Sequence, residues 1–276
     1  WRTMLVGRKL WKKMKLPSFK LLGTGAGPGT PSFFCDCPGC REARENPAWA
    51  RTRSGAFITA GQDNILIDAS PDLRAQLIRE QINRIDDVFL THWHYDHFGG
   101  LGELEYYVKL RRKEKIPLYL PPSAVEQFAA AFPNLREVFR AIPWAFNLKY
   151  SFGALTITPL AAIHGVETAG FLVESPGFRL AYFPDTAGLP PETARIAEQV
   201  DWLACDATFF GENWFPASHM SAEQAINLGQ KIKARHTVLT HLSIHYSQPV
   251  TSRELEAFAA RYPDVSVAYD GMAVNL

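Results

Sequence analysis

The chain has 276 residues, of which 47% are hydrophobic and 21% are charged, a composition typical of a folded globular protein. Its 29 Lys and Arg residues nearly balance its 28 Asp and Glu residues, so charge gives no reason to expect a nucleic-acid or membrane partner. The length suits one large domain or two small ones, and no apolar run reaches the roughly 20 residues that a membrane span needs.

The first fifteen residues differ from the rest because they carry basic side chains and no acidic ones. They lack the continuous apolar stretch of a secretory signal. We therefore expect residues 1–15 to be an extension, disordered or foreign to the native chain, followed by a single domain over residues 16–276. A subunit contact or a surface anchor is the alternative role for this segment.

Beyond this extension, apolar runs typical of strands alternate with amphipathic runs typical of helices. Strands are predicted, from their β-branched and aromatic content, at 18–24, 54–59, 64–68, 86–91, 117–120, 154–159, 169–174, 178–183, 202–208, 236–241 and 265–269. Helices are predicted at 71–80, 101–112, 123–132, 191–199, 221–232 and 252–261, the last two with capping-box starts. Many strands with few, spaced helices favour sheets covered by helices on their outer faces.

The strongest functional signal is the loop Thr91-His92-Trp93-His94-Tyr95-Asp96-His97, which follows an apolar run and precedes two glycines. Imidazole and carboxylate groups are the ligands expected for zinc, manganese or iron. His92 and His94 are two positions apart, so in extended backbone they point the same way and can bind one ion. Asp96 and His97 follow the turn and can bind a second ion.

Three further polar residues stand where predicted strands end, namely His164, Asp185 and His241. Taken singly, each is more readily an ordinary capping or core group. Taken with the His-rich loop, they supply the ligands that one loop cannot provide for two ions. Asp185 can bridge two ions because a carboxylate has two oxygens.

This order of residues resembles the signature of the metallo-β-lactamase superfamily, and the resemblance extends from about residue 19 to the end of the chain. It implies an α/β fold of the αββα type, with two central sheets and helices on the outer faces. It also implies a hydrolase with two catalytic ions, zinc or manganese. The implied ligands of the first ion are His92, His94 and His164. Those of the second are Asp96, His97 and His241, with Asp185 as the bridge.

Additional motifs narrow the resemblance. They are Gly23-Thr24-Gly25, Cys35-Asp36-Cys37-Pro38-Gly39-Cys40, Asp185-Thr186-Ala187-Gly188-Leu189-Pro190 and Asp270-Gly271-Met272. Together they are similar to the phosphoribosyl cyclic phosphate phosphodiesterase family of the carbon–phosphorus lyase pathway, which serves phosphonate metabolism. The resemblance implies hydrolysis of a small cyclic phosphate such as 5-phosphoribosyl 1,2-cyclic phosphate, and it implies a homodimer.

The cysteine cluster predicts a separate metal site, because Cys35, Cys37 and Cys40 can wrap three thiolates around one tetrahedral zinc ion. The best fourth ligand is His245, and Cys205 is the weaker alternative. The phosphodiesterase family has a structural zinc, but its fourth ligand follows the matching histidine by three residues rather than four. Reduced cysteines without metal remain an alternative. The pattern is not a secreted disulfide framework, so a cytoplasmic location fits best.

His219 is the remaining catalytic candidate, because it lies just before the capping box at Ser221 and a helix N-terminus favours anions. It can bind the substrate phosphate or protonate the leaving oxygen, and the phosphodiesterase family has a functional histidine in the matching place. Asp96 can also orient the attacking water. The predicted reaction is hydrolysis by a hydroxide generated at the two ions.

Two other functions remain open. A hydrolase of this fold can act on another ester or phosphodiester, since the fold hosts several chemistries. The cysteine cluster is also similar to that of the pyrroloquinoline quinone biosynthesis protein B family, which would make the chain a metal-containing biosynthetic or carrier protein. That family typically has an altered His-x-His-x-Asp-His motif, so the intact motif favours the phosphodiesterase and a small phosphorylated substrate.

Overall fold

The computed structural model describes residues 17–276, and within them fourteen strands form two seven-stranded sheets. Residues 1–15, for which an extension is predicted, lie outside the described residues. The strands of the first sheet are β1 (Ser18–Gly23), β2 (Gly55–Ala60), β3 (Asp63–Ile67), β4 (Asp87–Phe89), β5 (Ile116–Leu120), β6 (Phe139–Pro143) and β14 (Ala273–Asn275). Those of the second are β7 (Tyr150–Phe152), β8 (Leu155–Ala161), β9 (Ala169–Ser175), β10 (Phe178–Phe183), β11 (Trp202–Asp206), β12 (Thr237–Thr240) and β13 (Val265–Val267).

Each sheet has an antiparallel part and a parallel part. The spatial orders are β14-β1-β2-β3-β4-β5-β6 and β13-β12-β11-β10-β9-β8-β7. Strands β3 to β6 pair in parallel, and so do β10 to β13. Parallel pairing brings the carboxyl ends of neighbouring strands to one edge of a sheet, where polar loops can converge.

The two sheets pack face to face over an apolar core to which both contribute. Its largest members include Phe19 and Phe89 from the first sheet and Phe171 and Tyr182 from the second. The Phe89 and Phe171 rings meet edge to face, with centroids 5.6 Å apart, an arrangement that aromatic pairs prefer. Because both inner faces are apolar, burying them against each other holds the sheets together.

The helices cover the outer faces of the sheets, so the predicted αββα sandwich is confirmed. They are α1 (Pro38–Glu45), α2 (Leu73–Arg79), α3 (Tyr95–Phe98), α4 (Val125–Ala131), α5 (Pro191–Ile196), α6 (Ala222–Lys231) and α7 (Ser252–Ala259). Outer clusters join α2 and α4 to the first sheet and join α6 and α7 to the second. Among the described residues, no helix is long and apolar enough to cross a membrane.

Some elements differ from the sequence prediction. The single helix predicted at 101–112 is a 3-10 turn at Leu101–Leu104 followed by a π-helical turn at Tyr107–Arg112. Strands β6, β7 and β14 were not predicted, and all three lie at sheet edges. An edge strand pairs on one side only and has less to bury, so its sequence has a weaker apolar alternation. The capping boxes at Ser221 and Thr251 are present as predicted.

Candidate metal centre

The His-rich loop leaves the carboxyl end of β4, and its last residues form the one-turn helix α3. Two backbone hydrogen bonds join it to the segment after β3: the Ala69 N–H donates to the His97 carbonyl at 2.7 Å, and the Gly100 N–H donates to the Ala69 carbonyl at 2.7 Å. A Cβ added at Gly100 would overlap the carbonyl oxygen of Ser70, so a glycine is needed there. The loop is therefore held by the segment that follows the neighbouring parallel strand β3.

The first group of candidate ligands combines two residues of this loop with residues that follow β8 and β10. His92 Nε2 lies 2.9 Å from His94 Nδ1, which lies 3.2 Å from His164 Nε2. Asp185 joins the group, with one oxygen 3.3 Å from His92 Nε2 and the other 3.3 Å from His164 Nδ1. One ligand atom from each of the four residues lies within 4.8 Å of the others, close enough to share one ion.

The second group contains Asp96, His97 and His241, whose ligand atoms also lie within 4.8 Å of one another. Asp96 Oδ2 lies 3.5 Å from His97 Nε2 and 3.6 Å from His241 Nε2. Asp185 reaches this group too, because its Oδ2 lies 3.4 Å from His97 Nε2 and 3.6 Å from His241 Nε2. The structure thus brings all seven predicted ligands together, with the Asp185 carboxylate between the two groups.

Several polar atoms at this centre are buried without a hydrogen-bond partner among the described residues. They include His97 Nε2 and His241 Nε2. A buried polar atom without a partner costs about 1–3 kcal/mol, so two at one point need an explanation. Divalent metal ions fit this donor set, because imidazole nitrogens and carboxylate oxygens are their usual ligands.

The other ring nitrogen of each buried histidine is held by a hydrogen bond. His97 Nδ1 donates to Asp68 Oδ2 at 2.8 Å, and His164 Nδ1 donates to the Ser218 carbonyl at 2.8 Å. His241 Nδ1 lies 2.9 Å from the Thr208 hydroxyl oxygen. Such contacts fix the ring orientation and leave Nε2 available for a metal ion.

Two buried carboxylates of this outer layer, Asp68 and Asp206, are absent from the sequence prediction. Asp68 follows β3 and Asp206 ends β11, so the signal was the one that identified Asp185: an acidic residue at the end of an apolar strand. Asp68 has a φ of 62° and His241 one of 55°, a left-handed conformation that non-glycine residues rarely adopt. Strain of this kind gathers at functional sites, and the surrounding hydrogen bonds maintain it.

His219 lies at the edge of the centre and contacts both carboxylates that face it. Its Nδ1 is 2.9 Å from Asp206 Oδ2 and 2.9 Å from Asp185 Oδ1. Asp206 is itself fixed, since it accepts hydrogen bonds from the Thr186, Thr208 and Met220 N–H groups. This contact leaves His219 Nε2 as the atom available to a substrate.

The pKa values of two histidines in the cluster shift in opposite directions. Burial lowers the pKa of His92 to about 3, and the nearby His97 charge adds to that effect. For His97, burial also acts to lower the pKa, but the carboxylates of Asp96 and Asp68 outweigh it and raise the pKa well above its usual value. The raised pKa of His97 thus reflects the carboxylate charge around its ring, which is charge that a bound cation would neutralise.

The predicted cysteine group also comes together. The ligand atoms of Cys35, Cys37, Cys40 and His245 lie within 4.8 Å of one another, and His245 Nδ1 is 3.1 Å from Cys40 Sγ. His245 Nε2 donates to the Gly29 carbonyl at 2.7 Å, which orients Nδ1 towards the sulfurs. Cys205, the alternative ligand, is instead buried in the apolar cluster under α6 and α7. Zinc binding by this group stays a prediction.

A pocket of about 210 Å³ opens onto the candidate metal centre. One wall is polar and includes His94, Asp96 and His219. The apolar lining includes Phe209 and Phe215, and the Phe209 ring centroid lies 6.2 Å from that of His219. A small ligand in this pocket would contact both groups of candidate ligands.

Comparison with known proteins identifies the family. The family described as "Beta-lactamase superfamily domain" matches residues 63–242. A protein of Porphyromonas gingivalis named octanoyltransferase is 30% identical over 264 residues, covering 91% of this chain and 50% of that protein. The chain therefore spans half the length of that relative. The coenzyme PQQ synthesis protein B of Cupriavidus necator is 26% identical, covering 95% of this chain and all of that protein.

Comparison with solved structures agrees with the family match. A crystal structure described as a new diphosphatase from the PhnP family has a TM-score of 0.81 and 25% sequence identity, covering 94% of this chain and 97% of that one. The shared fold, the family match over residues 63–242 and the cluster of histidine and aspartate residues at the strand ends lead to one assignment. The chain belongs to the beta-lactamase superfamily and has the metallo-β-lactamase fold of its hydrolases.

Proposed function

We propose that the chain is a two-metal phosphodiesterase for a small cyclic phosphate, with 5-phosphoribosyl 1,2-cyclic phosphate as the reference compound of the class. The observation that carries the proposal is the pair of histidine and aspartate groups that share Asp185 at the wall of a pocket. The similarity to a diphosphatase of the PhnP family supports a phosphorus centre as the point of attack.

The proposed ligands of the first ion are His92, His94, His164 and Asp185. Those of the second are Asp96, His97, His241 and Asp185. Bound divalent ions, zinc or manganese, would supply Lewis acidity and an activated water near neutral pH. We propose a third, structural zinc held by Cys35, Cys37, Cys40 and His245, which would tie the loop before α1 to the loop after β12.

The chain's own residues then carry the proton transfers. Asp96 lies on the pocket wall, where its carboxylate can accept a hydrogen bond from the attacking water and orient it. His219 can donate a proton from Nε2 to the departing oxygen. Burial would lower the pKa of His219, but its contacts with the Asp185 and Asp206 carboxylates raise it to about 10, which favours a ring that holds a proton to donate.

The test is hydrolysis of bis(p-nitrophenyl) phosphate and of a ribose 1,2-cyclic phosphate by metal-loaded protein. His94→Ala should reduce either rate to background, because it removes a ligand from the first group. His236→Ala is the matched control, since His236 contacts Ser266 at 2.8 Å and belongs to neither group. Activity retained in His94→Ala would refute the two-metal mechanism.

A second candidate function is hydrolysis of another ester, which the apolar pocket wall and the similarity to a protein named octanoyltransferase favour. Turnover of p-nitrophenyl octanoate, with no turnover of the phosphodiesters, would select it. A carrier resembling coenzyme PQQ synthesis protein B would bind metal and hydrolyse neither compound.

A further inference from the structure

Ser243 lies in the loop after β12, two residues beyond the candidate ligand His241, and lines the pocket at the metal centre. The residue is 2% exposed, yet its hydroxyl oxygen has no hydrogen-bond partner among the described residues. Burying a hydroxyl without a partner costs free energy, so this group does not stabilise the folded chain. A buried donor at the wall of a pocket is therefore a sign of a ligand that completes its hydrogen bond.

The backbone around Ser243 is held from two sides. The Leu242 N–H donates to the Thr24 carbonyl at 2.9 Å, and the Ala26 N–H donates to the Leu242 carbonyl at 3.1 Å. The Ser243 N–H donates to the Thr208 carbonyl at 3.1 Å. These bonds fix the loop after β12 between the loops that follow β1 and β11. The position of Ser243 is thus set before a ligand binds, which reduces the entropy lost on binding.

The same loop supplies one residue to each of two candidate metal sites. His241 belongs to the second group of the metal centre, and His245 belongs to the cysteine group. The Ser243 hydroxyl lies between them in the chain and bonds to neither ring. Ser243 therefore does not orient either histidine through a hydrogen bond, and its hydroxyl is free for another partner.

The position of Ser243 suits a contact with the substrate. Its side chain has one rotatable bond with three staggered positions, so the hydroxyl can turn towards the pocket while the backbone stays fixed. Thr208 carries the other buried hydroxyl of the pocket lining, but its Oγ1 donates to the His241 carbonyl at 3.1 Å. The proposed function places a phosphate in this pocket, and its charged oxygens are strong acceptors of hydrogen bonds.

We propose that Ser243 donates a hydrogen bond to a non-bridging oxygen of the phosphate that is hydrolysed. The proposal rests on the phosphodiesterase function and adds a substrate-binding residue to it. Every substrate of the class has this phosphate, so the contact applies to 5-phosphoribosyl 1,2-cyclic phosphate and to simpler diesters alike.

The experiment compares Ser243→Ala with wild type, both loaded with metal, on bis(p-nitrophenyl) phosphate and on a ribose 1,2-cyclic phosphate. Removing one hydrogen bond to a charged oxygen should lower kcat/KM by about 10- to 100-fold. The losses on the two compounds should agree within about threefold, because the compounds share only the phosphate under attack.

Ser252→Ala is the matched control. The Ser252 hydroxyl is also buried and has no partner among the described residues, but Ser252 lies outside the pocket lining. The same atoms are removed in both variants, so a general effect of deleting a buried hydroxyl would appear in both. We expect kcat/KM of Ser252→Ala to equal that of wild type.

Two further measurements separate a substrate contact from a structural role. The free energy of unfolding of metal-free Ser243→Ala should equal or exceed that of wild type, because the substitution removes a buried donor that has no partner. The affinity for zinc or manganese, measured by competition with a chelating indicator, should equal that of wild type, because the hydroxyl contacts no candidate ligand.

A loss of kcat/KM confined to the ribose compound would place the hydroxyl against the sugar and overturn the inference. Weaker metal binding by Ser243→Ala, or an unchanged kcat/KM, would also overturn it. Each of these results would leave the phosphodiesterase function standing. If metal-loaded wild-type protein hydrolyses neither compound, the phosphodiesterase function itself is refuted, and the inference with it.

Discussion

Replacing Asp68 by asparagine would test how the chain orients one proposed metal ligand. The Asp68 carboxylate is buried and accepts from the Thr91 N–H at 2.8 Å and from His97 Nδ1 at 2.8 Å, one bond on each oxygen. The Thr91 hydroxyl also lies within 3.1 Å of both oxygens. An amide keeps one acceptor oxygen and places an NH2 group where the other oxygen stood.

The expected loss of metal affinity in Asp68→Asn follows from the hydrogen-bond donors that face this side chain. If the amide oxygen accepts the hydrogen bond of the Thr91 N–H, the NH2 group of the asparagine faces His97 Nδ1. His97 Nδ1 can accept a hydrogen bond from this NH2 group only in the tautomer whose proton is on Nε2. That proton would occupy the atom proposed to bind the second ion. Loss of such an outer partner typically weakens metal binding 10- to 100-fold, which is about 1.4–2.7 kcal/mol.

The assay is competition between the metal-free protein and a chelating indicator, with zinc or manganese titrated into both. Asp201→Asn is the matched control, since Asp201 accepts from the Arg179 N–H at 2.8 Å and contacts none of the candidate ligands. We expect weaker binding in Asp68→Asn and unchanged binding in the control. Affinity within twofold of wild type in Asp68→Asn, with the protein folded, would refute the reasoning about the tautomer.

Three other variants test separate parts of the molecule. His219→Ala should lower kcat by about 10²–10⁴-fold for a ribose cyclic phosphate and much less for a p-nitrophenyl ester, whose leaving group needs no proton; equal losses would exclude a general acid. Cys40→Ser should reduce the zinc content measured by elemental analysis by one ion per chain, whereas Cys205→Ala, at a site buried away from the cysteine group, should not. Burial, with the neighbouring Asp86 charge, raises the pKa of Asp87 to about 6, above its unfolded value of about 3.9. The folded state therefore binds the proton more tightly, and stability is lost as the pH rises from about 4 to 6. In urea denaturation, the free energy of unfolding of Asp87→Asn should exceed that of wild type by about 1–2 kcal/mol at pH 8 and nearly equal it at pH 4. Asp86→Asn should be less stable than wild type because Asp86 accepts hydrogen bonds. If the free energy of unfolding of Asp87→Asn equals that of wild type at pH 8, the Asp87 carboxylate is solvated in the folded protein.

The sequence analysis missed strands whose side chains are incompletely buried. Strands in the interior of both sheets were predicted because both of their faces are covered and their sequences are apolar. Strands β6, β7 and β14 lie at sheet edges. β7 and β14 are three residues long, and β6 ends at Pro143, which has no N–H to donate to a sheet. The helix predicted at 101–112 has a suitable pattern of side chains, but its backbone divides into a 3-10 turn and a π-helical turn.

The candidate ligands were predictable because their chemistry is local. His92, His94, Asp96 and His97 share one loop, and the residues that join them stand at the ends of recognisable strands. Asp68 and Asp206 were missed although they stand in similar places. Their importance depends on a contact, such as the one between Asp68 and His97, which are 29 residues apart in the chain.

The sequence by itself determined which side chains can bind metal ions, in which order they occur, and that sheets with outer helices would carry them. Only the tertiary structure decided the order of the strands, the contacts of the outer carboxylates Asp68 and Asp206, and which of His245 and Cys205 lies beside the cysteine group. The physical reason is the range of the contacts. Cys40 and His245 are 205 residues apart, and strand pairing and helix packing, which no local pattern specifies, bring them to 3.1 Å.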